Sequence, residues 1–213
     1  MNKAENQIMR LESKHIEALN KAEKWMFHSD FCPYLELKAL LPDSSSFARN
    51  RFCTLFTNYY ALNTGGLTDE FKKRYFEILF EEKIVIYGKP VFCQILTELS
   101  KIKRKKGDYA IPFSFVSKLV AMHLESSPIY DKHVLAFFGE KALDSSNNIE
   151  NRIGWFVDFL DRVHDSYEEW AKNEQIVLIL NNLKARDEEL KKCHPNRLMD
   201  FLVWKVGNRK LLT

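Results

Sequence analysis

From Ile149 to Trp170 the apolar residues Ile149, Ile153, Phe156, Leu160, Val163, Tyr167 and Trp170 return at spacings of four and three. Asp158, Asp161, Arg162, Asp165 and Glu168 fall off that stripe. At 3.6 residues per turn this is one face of a long amphipathic helix, and a strand period of two is excluded. Asn147 followed by Glu150 reads as a capping box at its start. The same period runs through most of the chain. With only 7 Gly and 6 Pro in 213 residues, a turn-rich β-sandwich has too few turn formers. The reading is a single all-α domain over 1–213, with about eight or nine helices. Three parts divide it: 1–90 as N-terminal helices, 91–140 as a Lys/Asp core, and 141–213 as C-terminal helices.

Ile8, Leu11, His15, Leu19, Ala22 and Met26 predict a helix over 4–27. Ser44-Ser45-Ser46 offers N-caps for a helix over 47–62, closed by the turn Asn63-Thr64-Gly65-Gly66. Thr68 caps the next helix, whose first turn holds Asp69 and Glu70 and which buries Phe71, Tyr75, Ile78 and Leu79. Further helices are predicted over 90–103, 113–124, 132–138, 174–192 and 196–206. Ile84-Val85-Ile86-Tyr87 is the one β-like run, and a lone strand makes no sheet, so it reads as loop or helix end.

No stretch of apolar residues is long enough to span a bilayer, and the N-terminus is polar where a signal peptide is apolar. Cys32, Cys53, Cys93 and Cys193 are scattered, with no zinc or iron–sulfur spacing. A cytoplasmic protein with free thiols, no metal, no cofactor and no membrane partner is therefore expected. Phosphate-binding glycine motifs and the nucleophile elbow of serine hydrolases are both missing. Phe56, Tyr59 and Tyr60 stand at helical spacing and read as core, and so does His123; His133 reads as a surface or capping residue.

Charge is the informative remainder. The net charge is only +3, yet the window from Lys83 to Lys106 holds seven basic residues against the single acid Glu98. That window carries +6, so the rest of the chain is about −3. Its densest part is Lys101, Lys103, Arg104, Lys105 and Lys106, followed by Gly107. Local cationic density of this kind is what binding to a phosphate backbone requires, since each neutralised phosphate releases counterions. A solvated helix end closed by Gly107 accounts for the same residues. Next comes Pro112 to Leu124, apolar almost all round except for a strip of Ser114, Ser117, Lys118 and Ala121. A lysine in apolar surroundings is expected to lose its proton more readily and so become a nucleophile; pairing or snorkelling is the plainer role. Asp131 is placed to cap the helix that starts at Lys132, and a carboxylate there stays ionised.

The basic turn, the Ser117-Lys118 helix and the run Pro128-Ile129-Tyr130-Asp131-Lys132-His133-Val134 together resemble the core of the helix-hairpin-helix DNA glycosylases, the 8-oxoguanine glycosylase type above all. The resemblance covers about residues 107–138. It implies that Lys118 is a nucleophile toward C1′ of a damaged nucleotide and that Asp131 assists as the base leaves. It also implies that Lys101, Lys103, Arg104, Lys105 and Lys106 contact DNA phosphates and that the target base is flipped out. The chain departs from the family where a hairpin glycine is usual: Ala110-Ile111-Pro112-Phe113 has none. A non-catalytic DNA-binding or protein-interaction module on the same scaffold stays open beside the enzyme.

Overall fold

The computed structural model describes residues 8–81, 84–144 and 146–212, and among them it contains ten α-helices and no strand. The chain divides into two compact units. One takes the N-terminal residues up to Phe27 and everything from Glu125 onward; the other is His28–Leu124.

The second unit holds α2 (His28–Leu40), α3 (Ser46–Tyr59), α4 (Asp69–Glu81), α5 (Lys89–Leu99) and α6 (Phe113–His123). Ser45 caps α3 by accepting the Ala48 N–H at 3.2 Å, and Thr68 caps α4 by accepting the Phe71 N–H at 3.2 Å. Phe71, Tyr75, Ile78 and Leu79 are buried, as their spacing predicts. Phe52, Phe56, Tyr60, Tyr75, Phe76 and Phe80 form a chain of ring contacts between α3 and α4, so Phe56 and Tyr60 are core as expected, whereas Tyr59 is half-buried and donates its hydroxyl to the Asp30 carbonyl at 3.1 Å. His123 lies half-buried with Nε2 2.9 Å from the Leu79 carbonyl, and burial holds its pKa below the ordinary value.

Helix α2 is the element that periodicity alone does not predict. It places Pro33 inside a helix, which removes one backbone donor and weakens the usual sequence signal. Phe31, Tyr34 and Leu37 nevertheless return every third residue and are buried. Two boundaries also move. α5 stops at Leu99, so the basic run lies beyond the helix, not on its last turn. α3 stops at Tyr59, and Ala61 takes a left-handed conformation before the 3-10 turn Leu62–Gly65. Residues 84–87 are irregular, with Val85 and Ile86 exposed.

The first unit holds α1 (Ser13–Lys24), α7 (Lys132–Phe137), α8 (Ile149–Trp170), α9 (Glu174–Lys184) and α10 (Pro195–Arg209). The helix predicted over 4–27 begins at Ser13, and its residues 4–7 lie outside the described ones. The cap of α8 is Asn148, one residue later than predicted; its side chain accepts the Asn151 N–H at 2.7 Å. The helix predicted over 174–192 ends at Lys184 and is followed by a 3-10 turn, Glu189–Lys192. Just past that end Arg186 donates its guanidinium to the Met26 carbonyl at 2.6 Å and pairs with buried Glu23.

α10 is the centre of this unit and packs on α1, α7, α8 and α9. Its contact with α7 is closest at Gly207, where a Cβ would lie 2.8 Å from both the Cα and the carbonyl carbon of His133. The polar residues Asn196, Arg197, Asp200 and Lys205 of α10 are also buried. Arg197 Nη1 donates to Asp200 at 2.6 Å, and Arg197 Nη2 donates to the Ser127 carbonyl at 2.9 Å. Asp200 accepts from the Ile129 N–H at 3.2 Å and from Tyr167 Oη at 3.2 Å. Burial pushes the Asp200 carboxyl up to about 6, against the opposing pull of Arg197.

Candidate nucleic-acid interface

The segment between α5 and α6 is a fastened turn. The Arg104 N–H donates to the Asp108 carbonyl and the Gly107 N–H to the Arg104 carbonyl, both at 2.8 Å. Gly107 takes a φ of +83°, a conformation that other residues rarely adopt. Arg104 also grips the Asp108 carboxylate with Nε at 3.0 Å and with Nη2. Each partner shifts the other: this hydrogen bond lowers the Asp108 pKa and raises that of Arg104. The turn is tied to the start of α4 by the Lys105 N–H on the Gly66 carbonyl at 2.9 Å and by Thr68 Oγ1 on the Lys103 carbonyl at 3.3 Å.

This arrangement separates the five basic residues predicted to bind DNA into two kinds. Arg104 closes the turn on Asp108. Lys101, Lys103, Lys105 and Lys106 are exposed, and none of the four makes an ion pair with a described residue. Four ammonium groups on one short turn, whose single carboxylate, Asp108, is taken up by Arg104, give a local field that a phosphate chain can neutralise. Tyr109, not among the residues predicted from the sequence, stands beside them. The residue is 59% exposed, and Lys103 Nζ lies 5.7 Å from its ring centroid. An aromatic three residues past a lysine run was the available signal.

Lys118 sits in α6 and is buried, at 8% exposure. Its Nζ donates to Ser114 Oγ at 3.0 Å and lies 5.4 Å from the Tyr60 ring and 5.6 Å from the Phe115 ring. The small polar strip expected from the sequence is therefore present, because Ser114 is one turn before Lys118 on the same face. Ser117 turns its hydroxyl to the Ser114 carbonyl at 3.1 Å. Aromatic faces and one hydroxyl hold this ammonium by cation–π attraction and a hydrogen bond.

Asp131 belongs to the other unit. It caps α7, accepting the His133 N–H at 2.9 Å, as the sequence predicts. His133 sets its ring edge-on to Trp204 at 5.6 Å. The segment that delivers Asp131 is held from several sides. Glu125 accepts the His194 N–H at 2.9 Å, and Asn196 donates to the Ser126 carbonyl at 3.1 Å and to Glu168 at 2.8 Å. Arg197 and Asp200 complete the grip at Ser127 and Ile129. None of these anchoring residues is predicted as a site residue from the sequence, although a charged pair three apart on the buried side of α10 marks them.

The chain matches no known family model, curated protein or solved structure. No helix is long and apolar enough to cross a membrane. Among the described residues no cluster of three or more His, Cys, Asp or Glu is arranged to hold a metal ion. The four cysteines are free thiols, and burial raises the Cys53 thiol to about 11, far from reactive.

Proposed function

We propose that this protein binds DNA through the turn between α5 and α6, with Lys101, Lys103, Lys105 and Lys106 on backbone phosphates. One observation carries the reading: four exposed lysines that make no ion pair with a described residue, on a turn fixed by Arg104, Asp108, Gly66 and Thr68. A flexible lysine tail would lose entropy on binding, whereas this turn is already ordered. The contacts are to phosphates and carry no sequence information, so binding is expected to be general. The test is a titration of labelled duplex DNA at low ionic strength. Micromolar or tighter binding supports the reading, and no binding there overturns it.

A second reading is the base-excision activity implied by the glycosylase resemblance, and the placement of Lys118 favours it. Lys118 is shielded from bulk water among Ser114, Tyr60 and Phe115, and it becomes a nucleophile once its ammonium, which the ring faces favour, gives up a proton. In that reaction the deprotonated Nζ would form a bond to C1′ as the glycosidic C–N bond breaks, and the base would leave with a proton given up by that nitrogen. Borohydride treatment with an abasic-site oligonucleotide tests it. A covalent adduct that is lost in Lys118→Ala, with circular dichroism unchanged, supports the enzyme. No adduct leaves a DNA-binding module.

A further inference from the structure

We propose that Tyr109 is a base-stacking residue and that the basic turn therefore prefers single-stranded DNA to duplex. This rests on the DNA-binding reading of the same turn and adds which form of DNA it takes.

The ring stands at the exit of the turn, directly after Asp108, which Arg104 holds. Lys103 approaches the ring, and its own carbonyl is anchored by Thr68, which places the backbone that carries this ammonium beside the ring. More than half of the residue stays exposed after that contact. Tyr109 is thus an aromatic surface with one cation beside it and the ammonium groups of Lys101, Lys105 and Lys106 on the same turn. A nucleic acid strand offers the complement, an anionic backbone with a flat π-face at every nucleotide. In a duplex those faces are covered by neighbouring base pairs. In a single strand they are free to stack on an aromatic side chain, with little dependence on sequence. Lysine next to the ring adds attraction for both ring and phosphate.

The experiment compares binding of a fluorescent oligo-dT of about 12 nucleotides with binding of a duplex of the same length, by anisotropy at one ionic strength. Wild-type protein is expected to bind the single strand more tightly. Tyr109→Ala is expected to lose about tenfold on the single strand and to keep its duplex affinity. Tyr109→Phe is expected to keep both, since stacking needs the ring and not the hydroxyl. The side chain is exposed, and circular dichroism checks that the fold is unchanged. Equal affinity of wild type for both forms, or an equal loss on both in Tyr109→Ala, overturns the proposal while the DNA-binding reading stands. Failure to bind either form at low salt overturns both together.

Discussion

Replacing Arg197 by Met is expected to destabilise the unit that carries α10 by about 3–5 kcal/mol, because it leaves the Asp200 carboxylate buried without its counter-charge. The pair is enclosed: Arg197 has no exposed surface and Asp200 only 4%. Arg197 also holds the Ser127 carbonyl, so the variant frees the segment leading to Asp131 as well. The loss should depend on pH with a definite sign. In the wild type the Asp200 carboxyl titrates near 6, above its ordinary 3.8. A raised carboxyl means that the folded state binds the proton more tightly than the unfolded state. The favourable contribution is then fully present below about pH 4 and lost as pH rises through about 6. Without Arg197 the carboxyl rises further, so the variant goes on losing stability above pH 6 where the wild type has levelled off. Thermal melts of both proteins at pH 5 and pH 8 check this. The difference should be larger at pH 8, and an Arg197→Met/Asp200→Leu double variant should recover much of it. A difference independent of pH would mean that Asp200 is not left as an unpaired buried charge.

Gly207→Val is expected to cost about 3 kcal/mol or more, since branched carbons would have to enter space held by the backbone of His133. Backbone cannot swing aside as a flexible side chain can, so α7 and α10 must separate. α7 begins at the Asp131 cap, and the damage should reach that residue too. Gly154 in α8 supplies the control, because a Cβ there meets nothing within 4 Å. Gly154→Ala should be stabilising, by up to about 1 kcal/mol, through helix propensity alone. Urea unfolding of the two variants beside wild type separates close packing from propensity. Equal effects at the two positions would show that the α7–α10 approach is not as close as described.

How far the sequence could be read followed from which forces act locally. α4, α7 and α8 were legible because their caps and apolar faces are written within a few residues of one another, as at Thr68 with Phe71 or Asp131 with His133, and α6 because Pro112 opens a run of apolar residues. α2 was not, since Pro33 is a local breaker and the packing of Phe31, Tyr34 and Leu37 overrides it from outside the segment. The end of α9 was also hidden. The one local signal near Lys184 is Asp187, whose side chain accepts the Glu189 N–H at 2.8 Å, and the partner of Arg186 is Glu23, more than 160 residues earlier. Within the candidate site, Lys118 with Ser114 could be read from helical spacing. That Arg104 holds the turn while its four lysine neighbours face solvent could not, because the distinction depends on Asp108 and Gly66 folding back onto the loop.

The central claim is that Lys101, Lys103, Lys105 and Lys106 bind phosphates. It is tested most directly by the salt dependence of duplex affinity for wild type and for a variant with these four lysines changed to Gln. Arg104 is left in place so that the turn keeps its ion pair. Each phosphate contact contributes about 0.9 to the slope of log K against log salt. The wild-type slope should therefore be steeper than that of the variant by about 3 to 4, with weaker binding by the variant at low salt. Parallel lines of equal affinity for the two proteins would contradict the claim and place any DNA contact elsewhere on the chain.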